Sequence, residues 1–259
     1  DVADPVRSAA ARSLGELKSQ LAVSRLVPLL KDRGVSQAAA EALGKIGDAQ
    51  VVPDLSTLLH NRREPIEARR AAATALGLLH DPLAAESLIE ALAYPDVRWF
   101  AVDALGELGA GKPDRPLAGA VEPLAAVMRT DPKADNREAA AVAIGRLGLD
   151  AALPHLAAAL ADEEARVRDK AQSAFVRIAG DRPELYEQYA VEAANAERHA
   201  LAARVYQAAV DRFGKSAAMA DTVRRFRLER ARLLRQMRDW PAARAEYEAL
   251  LGLATPAPS

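Results

Sequence analysis

The sequence contains no cysteine among its 259 residues. This absence excludes disulfide frameworks, thiolate metal sites, iron–sulfur clusters and cysteine nucleophiles. It leaves the cellular compartment open, with the cytoplasm favoured. Histidine is also scarce, and none of the four histidines forms an H-x-x-x-H or His–Glu pair at metal-ligand spacing. Because phosphate-binding and nucleophile-elbow motifs are missing as well, we expect no catalytic residue, no metal and no cofactor in this chain.

An excess of charge of either sign is also missing. The 35 Lys and Arg residues nearly balance the 36 Asp and Glu residues, which gives a formal net charge of −1. Bulk electrostatics therefore gives no reason to expect a nucleic-acid partner, and nucleic-acid binding is disfavoured. No apolar run approaches the ~18 residues of a membrane-spanning helix, so no membrane span is predicted.

Aromatic residues are few and unevenly distributed. The first 180 residues hold only Tyr94, Trp99, Phe100 and Phe175, whereas seven aromatic residues follow in the last 79. The core is therefore predicted to change from small to larger side chains near residue 180. We predict one solenoid over residues 1–180, a second set of helical repeats over 181–253, and a disordered tail over 254–259.

What the sequence does contain is a repeated segment. Six copies align over residues 4–18, 34–48, 66–81, 95–110, 134–150 and 165–180. One aligned column holds Arg7, Ser36, Arg69, Arg98, Arg137 and Arg168. Eight residues later a second column holds Gly15, Gly44, Gly77, Gly106, Gly145 and Val176. Internal similarity at this period is the signature of a repeat architecture.

Each repeat is predicted to be a pair of helices. Apolar residues recur at helical spacing within the copies, and shorter apolar segments that begin near a proline lie between them. These prolines are placed in the first helical turn, where a missing N–H costs nothing. The glycines, spaced like the repeats, are interpreted as helix ends.

The V-R-x-x-A-A-x-A-L-G runs resemble HEAT repeats of the short bacterial kind that also occurs in phycobilin lyases. After residue 180, Ala202, Tyr206 and Ala209 have the small–aromatic–apolar spacing of tetratricopeptide repeats, and Ala243, Tyr247 and Leu250 repeat it. The fold class is therefore predicted to be all-α, a right-handed α-α superhelix in which HEAT-like repeats continue into tetratricopeptide-like helix pairs. The HEAT resemblance implies that the arginine-bearing helices line a concave surface.

The first repeat is incomplete. Residues 1–18 supply only the arginine-bearing helix, without the other helix of its pair, and the sequence begins with Asp1 rather than methionine. Ala9, Ala10, Leu14 and Leu17 would then lack a covering partner. We therefore expect that further sequence precedes this segment in a larger bacterial protein.

A solenoid without catalytic motifs favours a binding function. The main hypothesis is a non-enzymatic scaffold that binds a protein or peptide partner on its concave face. The alternative is a HEAT-like accessory part of an enzyme, either a phycobilin-lyase-like subunit or an appendage of a peptidase.

The arginine column has two interpretations. In the first, the arginines pair with the acidic residues that recur two or three positions before them, Asp4, Glu67, Asp96, Asp135 and Glu164. In the second, Arg69, Arg98 and Arg137 form a row of guanidinium groups that grips an acidic partner. The recurrence of the acidic residues favours the first interpretation.

Trp99 and Phe100 occupy columns that hold small or polar residues in the other copies. Because Trp99 replaces polar residues, we expect it to be exposed, and because Phe100 replaces mainly alanine, we expect it to pack toward the adjoining repeat. Trp99 is predicted to anchor a partner, with Arg70 and Glu138 beside it in the same column. The alternative is that both aromatic residues fill a gap beside the connector at 109–119.

A basic segment at residues 224–238 contains seven arginines and one glutamate. It could bind an anionic partner. The favoured interpretation is an amphipathic helix in which Phe226, Leu233, Leu234 and Met237 face the core while nearby glutamates balance the arginines.

Overall fold

Stacked helices account for the architecture of the part of the chain that the computed structural model describes, residues 3–110 and 117–252. Over these residues the chain forms 15 α-helices and no β-strand, which confirms the all-α helical-repeat prediction. The backbone packing separates two units, Asp1–Leu149 and Asp150–Ser259. The predicted tail, 254–259, and most of the predicted connector lie outside the described residues.

The first unit holds nine of these helices. They are α1 (Asp4–Glu16), α2 (Val23–Leu26), α3 (Ser36–Ile46), α4 (Val52–His60), α5 (Ile66–Leu78), α6 (Ala84–Ala91), α7 (Arg98–Gly109), α8 (Ala118–Thr130) and α9 (Ala134–Leu147). Short 3-10 turns at Gln20–Ala22, Val27–Lys31 and Ala49–Val51 complete the described elements. The helices that carry the aligned column, α1, α3, α5, α7 and α9, pack side by side as one layer. We call it the arginine layer, although α3 has Ser36 in place of the arginine. The other helices of each pair pack against it as a second layer.

The prolines of the second layer are not all in a first turn. Pro53 does lie in the first turn of its helix, at the start of α4. Pro123 lies inside α8, because that helix begins at Ala118, five residues before the proline. The position of this proline therefore corrects the sequence interpretation.

The glycines of the column lie near helix ends, as predicted from the sequence, but they are helical residues of the last turn and do not cap the helices. Gly15, Gly44, Gly77 and Gly106 all lie within arginine-layer helices, and each is packed against an alanine of the next helix in that layer. A Cβ added at Gly77 would come within 2.8 Å of the Ala104 Cα atom. The glycine therefore lets two helix backbones approach more closely than any larger residue would permit. We call this contact the glycine step.

One face of α1 carries exposed apolar side chains. Val6 and Leu17 on or beside this helix are 58% and 76% exposed, and Ala9 and Ala10 are exposed as well. Leu14 is half-buried. The predicted lack of cover thus applies to most of this face among the described residues.

The second unit holds the remaining six helices. They are α10 (Leu153–Ala159), α11 (Ala165–Ala179), α12 (Pro183–Asn195), α13 (His199–Phe213), α14 (Ala220–Gln236) and α15 (Trp240–Leu250). Two 3-10 turns, Asp150–Ala152 and Ala217–Met219, precede α10 and α14.

Aromatic rings fill the core of the second unit. The Phe175 ring meets the Tyr186 ring edge to face at 5.4 Å between centroids, and Tyr186 meets Phe213 in the same way at 5.4 Å. Tyr206 packs against Phe226 at 5.6 Å. Burial raises the pKa of Tyr186 to about 12. The predicted change of repeat type at residue 180 falls inside this unit, where the Phe175 ring meets Tyr186 and Tyr189 of α12.

The turn between α14 and α15 has the form expected for a helix start. The Asp239 side chain accepts a hydrogen bond from the Ala242 backbone N–H at 3.2 Å, which satisfies one of the free donors of α15. The assignment of α12–α15 as tetratricopeptide-like stays a prediction.

Candidate binding groove and arginine ladder

Arginines of the repeat column hold successive repeats together. Arg69 is only 2% exposed, and its Nε donates to the Leu59 carbonyl oxygen at 3.0 Å. Its Nη1 donates to Asp96, which lies in the loop of the following repeat. Arg7 likewise donates to Asp32 of the following repeat at 2.6 Å. These contacts confirm the ion-pair interpretation. Arg7 also pairs with its predicted partner Asp4 at 3.1 Å, whereas Asp32 and Asp96 lie one repeat later than the predicted partners.

The same arrangement recurs at Arg98. Its Nε donates to the Leu92 carbonyl oxygen at 2.6 Å, and its Nη1 donates to Asp131 at 2.6 Å. Asp131 also accepts hydrogen bonds from the Lys133 backbone N–H at 2.8 Å and from the Asn136 amide at 3.0 Å. Burial alone would raise the pKa of Asp131, but these donors, Arg98 foremost, hold the pKa below its ordinary value.

Two further column members bind backbone carbonyls. Arg137 is buried and donates to the Asp131 carbonyl oxygen at 3.1 Å. Arg168, in the second unit, donates to the carbonyl oxygens of Asp162 and Glu163 at 2.8 and 2.7 Å. Most of the column arginines thus have donors committed within the fold, and the exposed surface is formed by the residues beside them.

On the exposed face of the arginine layer, charged pairs join neighbouring helices. Between α1 and α3, Arg12 donates to Glu41 at 2.9 Å and Lys45 pairs with Glu16 at 2.5 Å. The two pairs lie one helical turn apart, and both bridge α1 to α3. They cover the seam between them with polar side chains.

A similar pairing joins α7 to α9. Arg146 lies 3.1 Å from Asp103 and 2.7 Å from Glu107. At the equivalent positions on α5, between these two charged seams, stand Thr74 and Leu78, and both are exposed. Since neither side chain is charged, α5 cannot form such pairs with α3 or α7 there.

An open groove lies at this interruption, and we call it the α5 groove. Its volume is about 350 Å³. It is lined by Gln37, Glu41, Lys45, Glu67, Arg70, Ala71, Thr74, Ala75, Leu78 and Phe100. Side chains from three adjacent helices, α3, α5 and α7, therefore form one concave surface.

An aromatic cluster closes one end of the α5 groove. The Phe100 ring meets the Trp99 ring edge to face at 5.1 Å, and the guanidinium carbon of Arg70 lies 5.4 Å from the Phe100 centroid. The Arg70 Nε donates to the Asp96 carbonyl oxygen at 3.1 Å. As predicted, Phe100 packs toward the adjoining repeat, where it meets Arg70. The cation–π contact and the hydrogen bond together fix the position of the guanidinium group.

The predicted partner-binding residues thus occupy two environments. Trp99 is 43% exposed, and Arg70 and Glu138 are half-buried beside it in the same column of the arginine layer. Arg69 and Arg137 are buried. The α5 groove was not predicted, although the sequence carries a signal for it: Thr74 and Leu78 are uncharged where the columns of neighbouring helices carry charges.

The basic segment forms α14, and its arginines are largely paired. Arg227 and Arg230 both donate to Glu246, a carboxylate of α15 that is 6% exposed. Arg225 donates to Glu187 at 2.8 Å. Phe226 is fully buried, as the amphipathic interpretation requires.

Over the described residues, no group of three or more His, Asp or Glu side chains is arranged to hold a metal ion. Nor does any helix described there have the length and apolar character needed to cross a membrane.

The chain belongs to the HEAT-repeat family. A model described as HEAT repeats matches residues 1–66 and 86–175, which is more than half of the chain. Residues 68–94 match a model described as the PBS lyase HEAT-like repeat. The resemblance inferred from the V-R-x-x-A-A-x-A-L-G runs is thereby confirmed.

A bilin biosynthesis protein is similar to one segment of this chain. The bilin biosynthesis protein PecE of Mastigocladus laminosus is 41% identical over 68 residues, which cover 25% of this chain and 25% of that protein. The match therefore spans only a quarter of the relative's length.

Several solved structures are similar in fold. In the complex of CpcE and CpcF of phycocyanin lyase from Nostoc sp. PCC7120, the matching chain has a TM-score of 0.49 and 23% identity, covering 89% of this chain and 90% of that one. A designed armadillo repeat protein has a TM-score of 0.48 and 21% identity over 66% of this chain and 92% of its own. Human deoxyhypusine hydroxylase has a TM-score of 0.41 and 20% identity over 98% and 91%.

These matches correct one prediction. The expectation that the chain is not an enzyme is contradicted by its similarity to the PBS lyase HEAT-like repeat and to PecE. That expectation rested on missing metal, phosphate and nucleophile motifs. A repeat surface that binds and orients a substrate requires none of them, so their absence does not decide the question.

Proposed function

We propose that this chain is the HEAT-repeat part of an enzyme that acts on a bilin, an open-chain tetrapyrrole pigment, and that the α5 groove holds the pigment. One observation carries the proposal: the segment similar to the PBS lyase HEAT-like repeat, residues 68–94, includes the α5 side of the groove with Arg70, Thr74 and Leu78. This role corresponds to the accessory-subunit alternative of the sequence analysis.

The chemistry of the groove suits such a ligand. A bilin presents flat conjugated rings and two propionate groups, and the groove offers the apolar surfaces of Leu78 and Phe100 beside the cationic Arg70. Binding sites of this kind combine apolar walls with a few placed polar groups. Because the sequence contains no cysteine, this chain would hold the pigment without a thioether bond. Its contribution is to bind and orient the pigment.

A protein partner of the same enzyme would cover the groove from the side of Trp99. The Trp99 ring is 43% exposed and adjoins the groove through its contact with Phe100. Partly exposed tryptophans of this kind are enriched among residues that dominate protein interfaces. Arg70 and Glu138 flank Trp99 and would meet polar groups of the partner.

Pigment titration tests the proposal. Biliverdin is added to the purified chain, and binding is followed by the change in its visible absorption and by quenching of tryptophan fluorescence. Thr74→Glu introduces a carboxylate on the exposed wall of the α5 groove, and we expect it to weaken binding by about tenfold or more, because the new charge must be desolvated beside a flat apolar ligand. Thr57→Glu is the matched control, since Thr57 is an exposed threonine of the second layer.

The two variants separate specific from nonspecific binding. Equal loss of affinity in both would show that the pigment does not occupy the α5 groove. Absence of any saturable binding by the wild-type chain would overturn the proposed function itself.

A further inference from the structure

Arg70 differs from the other arginines on the exposed face of the arginine layer. Arg12 and Arg146 form ion pairs of 3.1 Å or less with carboxylates of the neighbouring helix. The carboxylate nearest to Arg70 is that of Glu67, one turn away on the same helix, and the Nη1–Oε1 distance of 3.7 Å is too long for a hydrogen bond. Among the described residues, neither Nη atom of Arg70 has a hydrogen-bond partner.

The guanidinium group is nonetheless held in place. Its Nε donates to the Asp96 carbonyl oxygen at 3.1 Å, and its central carbon lies 5.4 Å from the centroid of the Phe100 ring. An arginine fixed in this way loses little side-chain entropy when it binds a further group, so its two Nη atoms form a prepared fork. A fork of this geometry matches the two oxygens of a carboxylate.

The residues around Arg70 determine which kind of anion the groove can bind. Leu78, Ala71 and Phe100 place apolar surface next to the fork, whereas the other cation lining the groove, Lys45, already pairs with Glu16 at 2.5 Å. Glu41 and Glu67 also line the groove and disfavour ligands with a high negative charge. A singly charged carboxylate attached to an apolar body fits this distribution better than a phosphate does.

We propose that Arg70 is the residue that determines acid specificity in the α5 groove: it binds a carboxylate of an amphiphilic ligand whose apolar body lies on Leu78 and Phe100. The inference rests on the proposed function, and it specifies which group of the pigment the chain recognises. A propionate of the bilin is the carboxylate in question. Esterification of the propionates would remove the recognised charge and leave the conjugated rings unchanged.

The test compares biliverdin with biliverdin dimethyl ester, both titrated into the wild-type chain, Arg70→Gln and Arg146→Gln. The wild-type chain is expected to bind the acid about tenfold more tightly than the ester, the usual magnitude for one hydrogen-bonded ion pair shielded from water. Arg70→Gln should bind the acid and the ester equally. Arg146→Gln, which removes an arginine of the same face whose partners Asp103 and Glu107 do not line the groove, should keep the wild-type preference.

The outcomes distinguish the two proposals. If the wild-type chain binds acid and ester with equal affinity, the inference about Arg70 is overturned while the proposed function stands. A preference for the acid that persists in Arg70→Gln also overturns it. If neither compound binds, the proposed function fails, and the inference fails with it. Should Arg70→Gln prove unfolded by circular dichroism, the wild-type comparison of acid with ester still decides the matter, because it needs no variant.

Discussion

The two units of the chain pack their helices by different means. In the first unit, neighbouring arginine-layer helices approach closely at glycine steps, such as Gly77 against Ala104, and arginines bridge one repeat to the next. In the second unit, helices are kept apart by rings, as in the contacts of Tyr186 with Phe175 and Phe213. Helix pairs of the same kind can thus be stacked in two ways: with glycine at the contact, so that the backbones approach closely, or with aromatic side chains between the helices.

The difference bears on function. Close backbone packing leaves little room between arginine-layer helices, so ligands meet that layer at its exposed face. In the described part of that face, Thr74 and Leu78 of α5 are uncharged where α3 and α7 carry charged residues. The α5 groove results from a local change in surface residues and needs no change in the backbone stacking. Such a site can arise without disturbing the fold.

Breaking the aromatic packing of the second unit should have the largest effect. Phe226→Ala removes a fully buried ring that packs on Tyr206, and we expect a loss of about 4 kcal/mol in the free energy of unfolding of that unit. Each unit contains one of the two tryptophans, Trp99 in the first and Trp240 in the second. Urea unfolding followed by Trp240 fluorescence in a Trp99→Phe background measures the loss.

The reciprocal background serves as the control. With Trp240→Phe in place, Trp99 fluorescence should report an unfolding transition that Phe226→Ala leaves unchanged. A shift of equal size in both backgrounds would show that the two units unfold as one, and the contrast between separately packed regions would be lost.

Closing a glycine step should have an intermediate effect. In Gly77→Ala the new Cβ would lie 2.8 Å from the Ala104 Cα atom, and because backbone must move to accommodate it, we expect a loss of about 2 kcal/mol. Gly119→Ala is the matched control: no atom lies within 4 Å of the added Cβ, so the change should stabilise α8 slightly through helix propensity. Thermal unfolding of both variants gives the comparison, and equal melting temperatures would contradict the role assigned to the glycine step.

The smallest effect on stability is expected at the exposed aromatic residue of the first unit. Trp99→Ala removes a ring that is 43% exposed, so the loss of unfolding free energy should stay below about 1 kcal/mol, less than a buried aromatic would cost. Circular dichroism melts measure this. A loss of about 3 kcal/mol or more would instead identify Trp99 as a packing residue and end its proposed role as a partner anchor.

Much of the fold followed from sequence pattern, and much of the site did not. The helix pairs and the arginine column were recognisable because they repeat. The partners of Arg69 and Arg98 were not, since both pair with aspartates of the following repeat, and only the side-by-side stacking of helices brings those loops within reach. The packing role of the glycine column was likewise not predicted, because a close backbone contact leaves no local sequence signal different from that of a helix end.

The α5 groove was missed for a related reason. The aligned columns show that Thr74 and Leu78 are uncharged, but the open groove that results between α3, α5 and α7 can be recognised only once the three helices are placed side by side. The exposure of Trp99 and the packing of Phe100 toward Arg70 were predicted correctly, because each residue could be compared with its own column in the alignment. The role of Trp99 as a partner anchor stays a prediction.

The glycine step also determines how such a protein can change in length. Where each successive helix presents the same alanine to the same glycine, whole repeats can be inserted or deleted without redesigning an interface. The pattern stops at Val176, which occupies the position that is glycine in the five preceding repeats. Together with Ala208 of α13, Val176 lines an open groove of about 440 Å³. A further helix of the same type could not pack against α11 through the glycine–alanine contact, because α11 has no glycine at that position. Variation in repeat number among related proteins is therefore expected before this position and not after it.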